Sequence, residues 1–240
     1  WRFMEAGVFD PEASTLRFKL KPEGKQVWIA RQPPYTTRHL EALLESLRGH
    51  PAYREEVVGK TVGGRPMTLL TVTNPRTPEK DKAVIWLMAR QHAWESGTSW
   101  VAEGALRWLL SADREAARIR DRFIVKVFPM ADPDGVVRGG VRYNAHGYDL
   151  NRNWDAVNPK LMPEIHAQRQ AILGWVDSGR PVHLFLTLHN TERADFIQGP
   201  LTAGGPEVRA LAERFHKRLD ETSFYAPKGL APDVQARLNT

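Results

Sequence analysis

The chain has 240 residues, 42% of them hydrophobic, enough for one substantial domain plus an appendage. It has no cysteine, which excludes disulfide scaffolding and thiolate catalysis, and no apolar run approaches the ~20 residues that a membrane span needs. A net charge of +6 favours acidic partners in general. No aromatic-and-basic stripe of the recognition type occurs, so neither nucleic acid nor membrane is an expected partner, and nothing in the sequence speaks to oligomeric state. The first residue is Trp1 rather than Met, so the chain is read as trimmed, and a trimmed start would hide a signal peptide.

The first thirty residues read as β structure. Thr15–Lys21 alternates, residues 22–25 (PEGK) make a turn, and Gln26–Ala30 is expected to pair back as a hairpin. Pro33-Pro34 punctuates the junction between this β segment and the rest of the chain. Thr37–Arg48 has the apolar spacing of an amphipathic helix closed by Gly49, with His39 and His50 at its ends read as surface residues. Glu56–Thr61 and Pro66–Thr73 read as two strands around Gly63-Gly64. Lys82–Met88 (KAVIWLM) is a buried strand, and Ser96–Ser99 offers capping side chains for a helix over Trp100–Leu110. A short charged helix at Asp113–Asp121 and a strand at Arg122–Pro129 come next. From Ala131 to Trp154 the density of Gly, Asn and Asp predicts a long ordered loop, and loops of that length in a compact domain are usually functional. Pro163–Ser178 is a helix, and Pro181–Leu188 is a second buried strand that ends directly in His189. Glu207–Glu221 is a helix whose Val208, Leu211, Phe215 and Leu219 form a core-facing stripe. There is no internal repeat.

His92 and Glu95 sit where a strand ends and a helix begins, and in open α/β sheets that crevice is where ligands bind. A His and a Glu three apart can turn toward one point, and His189 also lies just past the end of a buried strand. Two His and one carboxylate around zinc, with the fourth position open, is a hydrolytic arrangement rather than a structural one. The long loop adds Arg138, Arg142 and Arg152, fork-shaped donors suited to carboxylates. Asp132 and Asp134 have ligand chemistry, but Asp-Pro-Asp-Gly is foremost a turn sequence. His183 shares a strand face with His189 at roughly 20 Å, too far to bind one metal with it. His166 and His216 are read as structural or solvated. A serine hydrolase is disfavoured, because no Gly-x-Ser-x-Gly elbow occurs.

Taken together, His92-Ala-Trp-Glu95, Asp132-Pro-Asp-Gly135, Asp149-Leu-Asn-Arg-Asn-Trp154 and the strand-terminal His189 resemble the zinc metallocarboxypeptidases of the carboxypeptidase A type. The similarity is greatest to the cytosolic branch and its bacterial relatives. The resemblance spans roughly Pro34 to Thr240. It implies an α/β fold with a mixed, largely parallel central sheet flanked by helices, preceded by a small N-terminal β segment. It also implies a boundary, with residues 1–33 ending a small β-domain and residues 34–240 forming a catalytic domain whose C-terminal part is expected to be missing from this sequence. His92, Glu95 and His189 would then hold one zinc ion, Asn151 and Arg152 would grip the C-terminal carboxylate of a peptide or protein tail, and Arg142 would stabilise the oxyanion. Ala93-Trp94 stands where relatives often have Pro-Gly, at positions that are not ligands. The general-base glutamate comes late in such enzymes and has no match here. Glu192, three residues after His189, is the only nearby carboxylate in the chain that could serve as base, and the resemblance disfavours it because the family's base comes from elsewhere. The cytoplasm is the expected compartment, with export left open. Two other readings stay open: a zinc deacylase or amidase of acyl-amino acids, and a catalytically inactive peptide-binding domain.

Overall fold

Asp10-Pro11 sets the first turn. The Asp10 carboxylate accepts hydrogen bonds from the backbone N–H groups of Glu12 and Ala13, both at 3.1 Å, a local closure that side chains of this type favour. In the computed structural model this turn joins β1 (Val8–Asp10) to β2 (Thr15–Arg17), which pair antiparallel with Val8 opposite Arg17. The expected hairpin between Thr15–Lys21 and Gln26–Ala30 therefore does not form; Thr15–Arg17 pairs with the residues before it. The structure describes residues 1–2, 4, 7–190, 195–197, 205–223 and 225. It divides into two compact units, Ala30–Asn190 and a second made of Trp1–Ile29 with Thr191–Thr240.

Within the larger unit, α1 (Thr37–Leu47) opens with Thr36 and His39 bonded to each other and buries Leu43, Leu44 and Leu47. β3 (Tyr53–Lys60) and β4 (Pro66–Val72) form the expected hairpin, with Gly64 taking the left-handed conformation that its turn requires. β5 (Ala83–Met88) leads to α2 (Ser96–Leu109), α3 (Arg114–Arg122) and back to β6 (Phe123–Phe128). Next come a six-residue helix, α4 (Pro133–Arg138), then α5 (Pro163–Asp177) and β7 (Leu184–Thr187). In the smaller unit, α6 spans Gly205–Thr222.

The sheet is mixed, with the order β3-β4-β6-β5-β7. β5 runs parallel to β6 on one side and β7 on the other, while β4 is antiparallel to both its neighbours. Alternation along the strands sends Leu70, Val72, Val125 and Val127 to one face, against α1 and α2. Leu69, Trp86, Ile124 and Phe128 go to the other, against Trp175 of α5. The chain leaves β5 toward β6 on one side and later returns to β7 on the other. The carboxyl end of β5 is thus a point where the connections part, and such a point opens a crevice.

Two local expectations change. α2 begins four residues early, so that Ser96, Thr98 and Ser99 lie inside its first turn, where their hydroxyls donate to the carbonyls of Pro33, Glu95 and Pro129. The apolar stripe of α6 is not a core stripe: Val208, Leu211 and Phe215 are exposed. Helical periodicity identifies the apolar face but not whether anything covers it.

Candidate metal centre

β5 ends at Met88, but its pairing continues. The Ala89 N–H donates to Phe128 O, and Ala131 N–H and Asp132 N–H return to Ala89 O and Arg90 O. The turn then reverses at Arg90, a non-glycine residue at φ 64°, a conformation that persists only where the surroundings impose it. Here they do. The Arg90 guanidinium is buried and donates to the Ala93 carbonyl at 2.7 Å and to Ser99 Oγ at 3.4 Å, while its own N–H is held by Thr98 Oγ1. Burial pushes its pKa down to about 10. One side chain thus wraps residues 90–95 into a tight loop. Gln32, through its side-chain amide, and Val141 O hold Trp94 from outside.

That loop turns His92 and Glu95 inward. Leu188 N–H bonds to Met88 O and carries β7 on beside β5, delivering His189 to the same place. His92 Nδ1 lies 2.9 Å from Glu95 Oε1, and His189 Nδ1 lies 2.9 Å from Glu95 Oε2. The two imidazole centroids are 5.0 Å apart. Each of the three offers a ligand atom within 4.8 Å of the others, and this is the one such His/Asp/Glu group among the described residues. His92 and Glu95 are almost wholly buried, and His189 is partly open.

His92 Nε2 meets Asp149 Oδ1 at 3.0 Å. A ring whose proton serves Asp149 turns a bare Nδ1 lone pair toward the Glu95 carboxylate, which is favourable only with a cation between them. Burial opposes the charge on His92, yet its bonds to Glu95 and Asp149 raise its pKa; burial likewise works against the Glu95 carboxylate, and the two imidazoles outweigh it and lower its pKa. The His92 and Glu95 shifts are two sides of one contact. Two imidazoles and a carboxylate are the donors of a hydrolytic zinc site, so the residues present fit that metal.

The long loop is ordered by one buried amide. Asn144 accepts from the N–H groups of His146 and Tyr148 and donates to the Leu161 carbonyl and Glu164. A bridge from Tyr143 to Asp149 closes it. Asp149 Oδ2 accepts from Arg142 Nε at 2.7 Å, and Oδ1 accepts from the Asn151 N–H at 2.8 Å. Burial opposes the charge of Asp149, but these bonds, with that of His92, hold its carboxyl below the usual range. Asn151 Nδ2 lies 3.3 Å from His189 Nε2. Of the residues singled out in the sequence, His92, Glu95, His189, Asn151 and Arg142 thus form one connected cluster. Arg152 stands apart: it is exposed, and its guanidinium donates to the Asn151 carbonyl.

Asp149, the residue joining the cluster, was not among the site residues read from the sequence, and neither was Arg90. Asp149 lies in the Asp-Leu-Asn-Arg-Asn-Trp motif, so a signal was there; for Arg90 there was none. Asp132 caps α4 through Gly135 N–H, so the predicted turn residues begin a helix, and Asp134 accepts from Thr61, Gly63 and Arg65 in the β3–β4 turn. Neither aspartate belongs to the metal group. Glu192 lies outside the described residues. A cavity of about 660 Å³ between α5 and the β3–β4–β6 face, lined by Lys126 and Trp175 among others, contains none of the site residues.

Comparison with known proteins matches residues 40–217 to the family profile described as zinc carboxypeptidase. Cytosolic carboxypeptidase 1 of Danio rerio is 33% identical over 178 residues, 69% of this chain and 15% of that protein. Cytosolic carboxypeptidase 2 of Homo sapiens is 36% identical over 172 residues, 68% of this chain and 19% of that protein. Among solved structures, a metallo-carboxypeptidase from Pseudomonas aeruginosa in complex with (2-guanidinoethylmercapto)succinic acid superposes with a TM-score of 0.77. It is 28% identical, with 94% of this chain and 59% of that one covered. A metallo-carboxypeptidase from Burkholderia cenocepacia gives a TM-score of 0.73 at 30% identity, covering 83% and 52%. The chain therefore spans under a quarter of these curated relatives and a little over half of these solved ones.

Proposed function

Because this chain belongs to the zinc carboxypeptidase family, we propose that it works as a metallocarboxypeptidase, hydrolysing the C-terminal peptide bond of peptides or protein tails. The observation that carries this reading is the convergence of His92, Glu95 and His189 at the ends of β5 and β7. These three would hold one zinc ion, which when bound supplies a Lewis acid and brings the pKa of a water toward neutrality. Asp149 fixes the His92 ring so that Nδ1 faces the metal position. Arg142 provides a fixed positive donor for the oxygen of the scissile carbonyl, where charge grows during attack. Asn151 and Arg152 hold the terminal carboxylate and so set the last peptide bond over the metal, and that positioning restricts cleavage to chain ends. A net charge of +6 suits acidic tails. The cytosol, which the names of the relatives give for those proteins, is the proposed compartment.

The test is a pool of peptides offered in free-acid and C-terminally amidated forms to the zinc-loaded protein. Terminal residues should be released from the free acids, and chelation should stop the release. Arg152→Ala should raise KM for free-acid peptides about tenfold or more and leave the slow turnover of amidated ones unchanged. Equal losses on both forms would contradict the assigned clamp, and cleavage at interior bonds would contradict the reaction.

A further inference from the structure

Arg142 and Asp149 are joined in an unusual way. A guanidinium has five N–H donors, and its usual match to a carboxylate uses two of them side by side. Arg142 uses one, Nε, at 2.7 Å from Asp149 Oδ2. Among the described residues its two terminal amino groups have no partner, and the side chain is 35% exposed, whereas that of Asp149 is 13% exposed. The other carboxylate oxygen is occupied by His92 Nε2 and the Asn151 N–H. One carboxylate therefore touches the arginine of the cluster, a metal-binding imidazole and the backbone of the clamp residue. The loop between them is closed by the Tyr143–Asp149 bridge and braced by Asn144, so the arrangement is set before any substrate arrives.

We propose that Asp149 is the positioning residue of Arg142. Gripping Nε alone, it aims the free end of the guanidinium at the substrate oxygen, and it ties that aim to the placement of His92. An arginine free in solution has a large rotamer entropy, and a donor already pointed where charge will develop stabilises that charge without reorganisation. The proposal rests on the carboxypeptidase reading above and adds to it a single carboxylate through which the metal ligand and the oxyanion donor are coupled.

Asp149→Asn separates the two roles. The amide oxygen still accepts from His92 and Asn151, while the amide NH₂ faces the Arg142 Nε–H, donor against donor. The measurement is the affinity of the zinc-loaded protein, with metal content assayed in each variant, for a peptide phosphonate whose P–O⁻ mimics the charged oxygen. The wild type, Asp149→Asn, Arg142→Ala and the double variant complete a cycle. Asp149→Asn should weaken phosphonate binding about tenfold or more when Arg142 is present, and less than about twofold when it is not. Equal losses in both backgrounds would mean that Asp149 acts through the metal alone, and would overturn the proposal. Arg142→Lys, which keeps the charge but has no Nε–H to be gripped in this way, gives a second arm. It should bind the phosphonate no better than Arg142→Ala, and retained affinity would also overturn the proposal. A wild-type protein that binds zinc but not the phosphonate would reject the carboxypeptidase reading itself, and the proposal with it. That failure is distinct from an additive cycle.

Discussion

Asp132 is a carboxylate with no exposed surface and one oxygen without a hydrogen-bond partner among the described residues. Burial, reinforced by the nearby Glu164 and Asp134 charges, raises its pKa from 3.8 to about 6, although the Gly135 N–H pulls the other way. A carboxyl raised on folding is destabilising when ionised. The cost is present in full above about pH 6 and fades as pH falls toward the unfolded value. Asp132→Asn should therefore lose its advantage over the wild type on acidification, the gap in unfolding free energy shrinking by roughly 1–2 kcal/mol between pH 8 and pH 5. Denaturant titrations at the two pH values measure it; a constant gap would mean that Asp132 is not raised. Gly135 is tied to the same spot. A Cβ there would stand 2.1 Å from Asp132 Oδ2 and 2.8 Å from Ala93 Cβ, in the loop between β5 and α2. Gly135→Ala should destabilise the fold by about 2–3 kcal/mol, which thermal melting measures.

At the scale of elements, the loop between β5 and α2 is the part that the sheet cannot hold by itself. Its shape depends on Arg90, whose guanidinium spans from Ala93 O to Ser99. Arg90→Ala should weaken zinc binding about tenfold or more while leaving the sheet intact. Chelator competition gives the affinity and circular dichroism the fold; unchanged affinity would show that Arg90 does not shape the site. His92, Glu95 and His189 could be picked out because each lies past an apolar strand, and strand ends are recognisable within ten residues of sequence. β7 itself is a half-exposed edge strand rather than the buried one expected, since apolar composition does not say which strand has a neighbour on both sides. Arg90 was invisible because the requirement is a left-handed backbone, which leaves no mark in residue type unless glycine is used. The joining role of Asp149 was hidden because His92 lies 57 residues away. The β1–β2 hairpin differs from the expected one by the choice between two equally short connections, residues 11–14 and residues 22–25, and the turn opened by Asp10-Pro11 is the one that forms. The stripe of α6 shows the opposite fault, a periodicity with Val208, Leu211 and Phe215 exposed and Leu219 half-buried.

For the whole molecule, the order of strands matters more than any single contact. With β6 and β7 on opposite sides of β5, the connections leave its carboxyl end in two directions, and the crevice between them is where residues nearly a hundred positions apart can share a ligand. The helix-covered faces supply the rigidity, and the loop from Gly139 to Trp154, which follows α4, supplies the polar groups around the rim. Among the described residues, no helix is long and apolar enough to cross a membrane.

In the proposed site, His92, Glu95 and His189 bind one ion together. The most direct measurement of this is the zinc content and affinity of the protein beside those of His92→Ala, Glu95→Ala and His189→Ala. One zinc per chain in the wild type, with each substitution lowering the affinity by orders of magnitude, is the predicted result. Full zinc content and wild-type affinity in any one of the three variants would contradict it.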